Sequence, residues 1–103
     1  MLNLKGNEIY ISKGNTDTFK ICFYDGTLPY ETSEGDKVIV RIGDRTQEIT
    51  CEDASSFVLW TLPADLPAGD YKYDISYVFG DTQEVEHLLY PTRYKVCEVV
   101  PNA

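Results

Sequence analysis

Alternation of apolar and polar residues, repeated in short segments, is the feature that most constrains the fold of this chain. Between residues 18 and 24 the apolar side chains of Phe19, Ile21 and Phe23 are each separated by one residue. A period of two is typical of a β-strand with one buried face, because successive side chains point to opposite faces of a sheet. The pattern predicts eight short strands, at residues 8–12, 18–24, 37–42, 47–51, 57–62, 71–79, 84–90 and 93–99.

Turn residues separate these segments. Asp25-Gly26, Gly43-Asp44 and Gly80-Asp81 each follow a predicted strand, and glycine and aspartate tolerate the backbone angles of tight turns. Short strands at regular spacing with such turns indicate an all-β protein. We predict an immunoglobulin-like antiparallel β-sandwich of seven or eight strands with Greek-key connections. The prediction is one domain over residues 1–103, with its core within residues 8–100.

The same alternation predicts which side chains are buried. Val38, Val40 and Ile42 are expected to point inward, with the charged residues between them in solvent. Residues 57–62 are almost continuously apolar, so we expect this strand to be partly covered on both faces. Pro91 is expected to divide the last two strands, because proline has no amide proton for a strand ladder.

Leu66, Gly69 and Tyr71 form a Leu-x-x-Gly-x-Tyr motif just before an alternating segment. In Greek-key sandwiches, a tyrosine near the start of the penultimate strand donates a hydrogen bond to a backbone carbonyl a few residues upstream. We predict such a tyrosine corner here, with a buried Tyr71 ring and with Gly69 giving the backbone its freedom for a close approach. An ordinary turn followed by a core tyrosine is the alternative.

Charge excludes several classes of partner. The chain of 103 residues has nine Lys and Arg against seventeen Asp and Glu, a net charge of −8. Phosphate backbones and anionic membrane surfaces repel such a chain, so we expect neither nucleic-acid nor membrane binding. Basic residues stand singly among acids in the sequence, as at Lys37, Arg41, Arg45, Lys72 and Arg93.

The lack of targeting signals and the number of cysteines are consistent with synthesis in a cytoplasm. The first residues lack the apolar core of a secretory signal, and no apolar run approaches the ~20 residues that span a bilayer. Cys22, Cys51 and Cys97 make an odd number without metal-binding spacing, so free thiols are expected. A disulfide bond between two sheets is the alternative. Without such a bond, Cys22 and Cys97 are expected to be unreactive side chains that pack within strand interiors.

Catalytic and metal-binding patterns are not recognisable in the sequence. His87 is the single histidine, and the acidic residues do not follow the spacing of a calcium loop. There is no Gly-x-Ser-x-Gly motif and no glycine-rich phosphate loop. We therefore predict a protein that is not an enzyme and that has no cofactor, no metal and no catalytic residue.

Eight tyrosines are more than a core of this size requires. Tyrosine is favoured at protein interfaces and on sugar-binding surfaces, because it combines a stiff flat ring with a polar tip. Cover of a sheet face, a protein interface and sugar binding remain open as explanations. The candidate interface residues, expected to lie partly outside the core, are Tyr10, Tyr24, Tyr30, Tyr90 and Tyr94.

Three segments together resemble a family of small phage tail and baseplate domains. Residues 8–19 are similar to their opening strand, turn and second strand, and Glu34-Gly35-Asp36-Lys37-Val38 is similar to their next turn and strand. Residues 66–75 resemble the Leu-x-x-Gly-x-Tyr-x-Tyr-Asp-Ile signature of the N-terminal domain of the phage baseplate upper protein. The resemblance covers residues 8–100.

This resemblance implies an immunoglobulin-like assembly module of a virion or a prophage tail, with no catalytic residues. The chain ends where that domain ends, so a free-standing tail, head-fibre or decoration subunit is an equal expectation. The expected partners are other virion or tail proteins and further copies of the chain, with virion association after synthesis in the cytoplasm. A carbohydrate-binding β-sandwich module is the alternative function.

Overall fold

The computed structural model describes residues 2–3, 8–14 and 16–98, and side chains are described for residues 8–14, 16–89 and 91–98. The described residues form strands and connecting turns without a helix, which confirms the prediction of an all-β protein. The strands are β1 (Leu2–Asn3), β2 (Ile9–Ser12), β3 (Thr18–Cys22), β4 (Tyr24–Asp25), β5 (Leu28–Pro29), β6 (Lys37–Ile42), β7 (Arg45–Thr50), β8 (Phe57–Thr61), β9 (Gly69–Val78) and β10 (Val85–Cys97).

Five strands form the largest sheet, in the order β2-β10-β9-β6-β7. The pairs β10–β9, β9–β6 and β6–β7 are antiparallel, and β2 runs parallel to β10 with Tyr10 beside Lys95. β3 and β8 form a separate antiparallel ribbon, in which Phe19 lies opposite Trp60. β4 directly follows β3 and lies between β1 and β5 in a third, small sheet.

The ribbon of β3 and β8 packs over one face of the five-stranded sheet. The Trp60 ring of β8 stacks on Tyr73 of β9 with ring centroids 5.8 Å apart, and it lies 6.4 Å from Tyr94 of β10. Phe23, which links β3 to β4, contacts Tyr77 edge-on at 5.3 Å. The inward positions of β6 complete this core, since Val38, Val40 and Ile42 are buried as the alternation predicts.

β10 corrects the prediction of two separate strands at residues 84–90 and 93–99. It is one strand that runs through Pro91, and its pairing with β9 shifts register between His87 and Leu89 and again between Leu89 and Thr92. Each shift is a β-bulge, at which extra residues of one strand face a single partner residue. Pro91 lies in the second bulge, where the ladder requires no amide proton from it.

Two further predictions about strands are wrong. We predicted antiparallel pairing throughout, but β2 pairs in parallel with β10, because the connection after β2 carries the chain from one layer to the other. We also predicted partial cover on both faces of residues 57–62. Instead Val58 and Trp60 are buried while Leu59 is 55% exposed, because the part of the chain that the structure describes covers the ribbon of β3 and β8 on its inner face only.

Candidate functional site

A groove of about 530 Å³ opens between β2 and β3, which lie at neighbouring borders of the two layers. Its walls are residues 8–11 on one side and residues 19–22 on the other. Its floor is formed by core side chains, among them Trp60, Tyr73 and Ile75. The groove therefore gives a partner access to apolar side chains that belong to the core.

Strand edges border the groove on both sides. Among the described strands, β2 pairs with β10 alone and β3 pairs with β8 alone. The turn after β2 leads directly into β3, yet these two strands do not pair with each other. Each therefore has one side without a neighbouring strand in the described ladders, and such an edge is a template for an added strand.

The opposite border of the two layers is closed by a side chain. Gln47 of β7 donates from its amide nitrogen to the carbonyl of Thr61 at 3.0 Å, and its amide oxygen accepts from the indole nitrogen of Trp60 at 2.8 Å. The amide thereby joins β7 to β8 and satisfies the polar atom of a buried tryptophan. The two borders differ accordingly, since one is tied by hydrogen bonds and the other is open.

Some charged residues at the groove form ion pairs with neighbouring residues and others do not. Glu8 lies 4.0 Å from Arg93, and Tyr10 contacts both of them through its hydroxyl. Lys20 places its ammonium 4.6 Å from the centroid of the Phe57 ring, and Lys95 lies beside Tyr10 in the β2–β10 register. No ion pair involving Lys20 or Lys95 occurs among the described side chains.

The sheet register also groups basic residues that stand apart in the sequence. Lys72 of β9 lies directly opposite Arg93 of β10, and Lys95 follows two positions later on the same face. Like charges directly opposite each other in a sheet are unfavourable. Lys72 and Arg93 stand singly in the sequence, and strand pairing brings them together in the fold.

The candidate interface tyrosines occupy different environments. Tyr10 is 54% exposed and lines the groove, and Tyr24 is half-buried at its lower end. Tyr30 is half-buried and packs edge-on against Tyr77, with ring centroids 6.1 Å apart. Tyr94 is fully buried, so the expectation that it lies partly outside is wrong; Arg93 and Lys95 take the outward positions of β10 around it. The side chain of Tyr90 lies outside the described residues.

Tyr71 donates from its hydroxyl to the carbonyl of Pro67 at 2.7 Å, and Leu66 is buried beneath this corner. The Tyr71 ring is half-buried, less than the motif predicts. Gly69 does not have a positive φ, and a Cβ there meets the ring at an ordinary 3.7 Å. The close approach occurs instead at Gly43, where φ is +60° and a Cβ would lie 3.2 Å from the ring.

Asp36 is a buried carboxylate that ties two loops together. One oxygen accepts from the backbone amide of Gly80 at 2.7 Å, and the other accepts from the Tyr77 hydroxyl and, at 3.3 Å, from the amide of Ser33. Burial and the adjacent carboxylate raise the pKa of Tyr77 well above its ordinary value. Because its partners are hydrogen-bond donors within the protein, Asp36 serves the fold and not the groove.

The three cysteines are free thiols. Cys51 is buried, and that burial raises the pKa of its thiol. Cys22 is exposed at the groove wall, so the expectation that it fills a strand interior is wrong; it points away from the core because its neighbours Ile21 and Phe23 point inward. No cluster of three or more histidine, cysteine or acidic side chains that could hold a metal ion occurs in the part of the chain that the structure describes.

Sequence reasoning missed the groove and the buried Asp36. The alternation at residues 8–12 and 18–24 predicts two inward faces, but nothing in it tells whether the strands pair or lie in different layers. Asp36 has the sequence context of an ordinary solvated turn residue, between Gly35 and Lys37. The burial of Tyr94 was recognisable, since Arg93 and Lys95 on either side fix its phase in the strand.

Within the described residues, no helix has the length and apolar character needed to cross a membrane. Comparison of the chain with protein-family models, with curated proteins and with solved structures gives no match. The groove, the strand edges that border it and the charges around it are therefore the features that bear on function.

Proposed function

We propose that this chain is a non-enzymatic assembly module, of phage or prophage tail type, that binds another protein through the groove between β2 and β3. The observation that carries the proposal is the edge of β2 that no described strand pairs with, beside an accessible part of the core. Strand addition at such an edge combines main-chain hydrogen bonds with side-chain pockets, and it requires no reactive group. The phage context comes from the resemblance of residues 8–19, 34–38 and 66–75 to baseplate domains.

The architecture proposed with this function is an immunoglobulin-like sandwich with Greek-key connections. In variable-type domains one sheet has neighbours in the order G, F, C, C′ and the other includes B and E. The order β10-β9-β6-β7 and the ribbon of β3 and β8 agree with those two sets. Tyr71, at the start of β9, agrees with the tyrosine corner of strand F. A module of this kind presents its loops and strand edges for assembly.

Sugar binding is less well supported than protein docking. A sugar platform is built from flat aromatic rings that lie together on an accessible face. Among the described side chains, Tyr10 is the one aromatic residue that is largely exposed, and Tyr24 beside the groove is half-buried. Calorimetry with simple polysaccharides is the direct check, and a sugar-dependent rise in melting temperature would favour the carbohydrate-binding alternative.

The experiment that tests the proposal is reconstitution with candidate tail proteins encoded next to this chain. Each is co-purified with the chain and the complex is measured by light scattering coupled to size exclusion. We expect a stable complex that is lost in Ile11→Asp, since a carboxylate would enter the apolar wall of the groove. Leu59→Asp, an exposed apolar position on the outer face of the ribbon, is the matched control and is expected to bind normally.

Circular dichroism of both variants separates loss of binding from loss of folding. If Ile11→Asp unfolds, Tyr10→Ser replaces it, because this exposed groove residue can be changed without opening the core. A complex that tolerates changes at both Tyr10 and Ile11 would show that the groove is not the docking surface.

A further inference from the structure

We infer that the groove selects an extended partner segment in which apolar and acidic residues alternate, and that this segment adds as a strand to the free edge of β2. The inference rests on the proposed docking function and adds the chemistry of the partner. It follows from the direction in which the side chains of β2 point and from the charges that remain unpaired on either side of the groove.

The side chains of β2 define two faces for an added strand. Ile9 and Ile11 are half-buried and line the groove, whereas Tyr10 between them is exposed. A strand paired to β2 continues this alternation, because neighbouring strands share the pleat of the sheet. Every second side chain of the partner therefore enters the groove toward Phe19 and Trp60, and the side chains between them lie beside Tyr10.

The floor of the groove requires apolar side chains from the partner. Core residues of β8 and β9 form it, and the polar hydroxyl of Tyr10 is engaged outside it with Glu8 and Arg93. A charged or amide side chain placed on this floor would lose its water without gaining a partner, which is costly. The volume of about 530 Å³ accommodates two or three aliphatic side chains of ~100 Å³ each.

The charged side chains around the groove determine which residues suit the outward positions of the partner strand. Glu8 is offset by Arg93, to which it is the nearest anion at 4.0 Å. Lys20 on the β3 side and Lys95 behind β2 have no carboxylate within 4.0 Å among the described residues, so unpaired cations flank the groove on both sides. Asp70 of β9 lies directly opposite Lys95 in the register, but it is farther than 4.0 Å from the ammonium and on the side of β10 away from the groove. Carboxylates on the partner complement this arrangement.

The net charge of −8 restricts the preference for carboxylates to short segments with few acidic residues. A uniformly acidic polymer is repelled by the molecule as a whole, since long-range repulsion exceeds attraction by two lysines. A short segment with a few carboxylates at alternate positions lies at separations from the local cations that are comparable to the Debye length of roughly 8 Å, where salt screens the attraction only in part. The partner is therefore a patterned polypeptide strand and not a nucleic acid or an acidic tail.

Three synthetic peptides test the inference, each with valine at alternate positions. The intervening residues are glutamate in the first, glutamine in the second and lysine in the third. Binding is measured by fluorescence anisotropy at 0.1 M salt. We expect the glutamate peptide to bind about tenfold more tightly than the glutamine peptide and the lysine peptide to bind least, with differences that shrink at 1 M salt.

Charge reversal at the two unpaired cations is expected to reverse this order. Lys20→Glu combined with Lys95→Glu should favour the lysine peptide over the glutamate peptide. Lys37→Glu combined with Arg45→Glu is the matched control: it makes the same change of charge on β6 and β7, away from the groove, and should keep the original order. Peptides with N-methyl groups at alternate positions then test strand addition, since methylation of the amides that bond to β2 abolishes binding and methylation of the others does not.

The outcomes separate the two proposals. Equal binding of the three peptides, with loss in Ile11→Asp, would overturn the acidic preference and leave the docking groove in place. Binding that keeps the acidic preference but is insensitive to N-methylation would overturn strand addition. Absence of binding by all three peptides, to a protein that does bind a tail protein through the groove, would overturn the inferred partner pattern. Failure of both peptides and tail proteins to bind would overturn the proposed function as well.

Discussion

Single polar atoms in the core have opposite energetic effects, depending on whether they find a partner. Tyr77 and Tyr94 are both fully buried tyrosines of the main sheet. The Tyr77 hydroxyl donates to Asp36, whereas the Tyr94 hydroxyl has no hydrogen-bond partner among the described residues. A buried hydroxyl without a partner loses its hydration and gains nothing in return, so the two residues differ in the sign of their contribution.

Replacement of Tyr94 by phenylalanine is expected to stabilise the protein. The change removes the unsatisfied hydroxyl and keeps the ring that packs against Trp60 and Tyr73. We expect the free energy of unfolding to rise by about 1 kcal/mol, measured by urea denaturation at pH 7. Tyr77→Phe is the matched control and should lower it by about 1–3 kcal/mol, because Asp36 loses a donor. The same sign for both variants would contradict this reading.

The tyrosine corner gives a second residue-scale prediction. Tyr71→Phe removes the bond to the Pro67 carbonyl and should lower the free energy of unfolding by about 1–2 kcal/mol. Gly43→Ala should cost at least as much, since alanine is strained at a φ of +60° and its Cβ meets the Tyr71 ring at 3.2 Å. Chemical denaturation of each variant measures both effects. A Tyr71→Phe variant as stable as the parent would show that the hydroxyl does not hold the corner.

At the scale of elements, the loops after β5 and β9 are held together by backbone as well as by Asp36. A Cβ at Gly80 would lie 2.5 Å from the carbonyl oxygen of Gly35, so the two loops cross without room for any side chain. The carboxylate of Asp36 fixes the same crossing from within, through the amide of Gly80. Rigid backbone at this point positions the end of β9 relative to β6.

Gly80→Ala is therefore expected to lower the free energy of unfolding by about 2–3 kcal/mol, because backbone must move to admit the methyl group. Gly69→Ala provides the comparison, since its Cβ meets Tyr71 at 3.7 Å and its φ is not positive. The second variant should stay within about 0.5 kcal/mol of the parent. Equal thermal stability of the two variants in a melting experiment would show that the loops separate without cost.

A strand was predictable from the sequence where its own alternation of apolar and polar residues is enough to identify it. The strands predicted at residues 37–42 and 18–24 follow from the phase of Val38, Val40 and Ile21 alone. The structure contains the first as β6, and the second ends earlier than predicted, as β3 at Cys22. The last two predicted strands form one strand because of bulges in its pairing with β9. The parallel pairing of β2 is made with a strand more than 80 residues away. Neither feature can be recognised in the pattern of a single strand. The groove belongs to this second kind, because it is the place where two strands fail to pair.

For the molecule as a whole, buried tyrosines link stability to alkaline pH. Burial raises the pKa of Tyr94 to about 12, from an ordinary value of 10.0, and the pKa of Tyr77 is also raised. Above pH 10 the unfolded chain releases these protons while the folded protein retains them. The unfolded state then binds fewer protons than the native state, so the free energy of unfolding falls as the pH rises.

We expect a loss of about 1.4 kcal/mol per pH unit for each such tyrosine between pH 10 and pH 12, and little effect of either below pH 10. Urea denaturation across this range measures the slope. Tyr94→Phe should reduce it by about 1.4 kcal/mol per unit. An unchanged slope in that variant would show that Tyr94 titrates alike in the folded and unfolded chains.

The parallel pairing of β2 with β10 has a consequence for synthesis on the ribosome. Residues 9–12 leave the ribosome more than 80 residues before their partners at residues 94–97. A nascent chain therefore cannot fix β2 in the five-stranded sheet until β10 has emerged, since contacts so distant in sequence form late. The wall of the groove is completed by that same event. A chain that stops before residue 94 consequently lacks the finished wall of the groove.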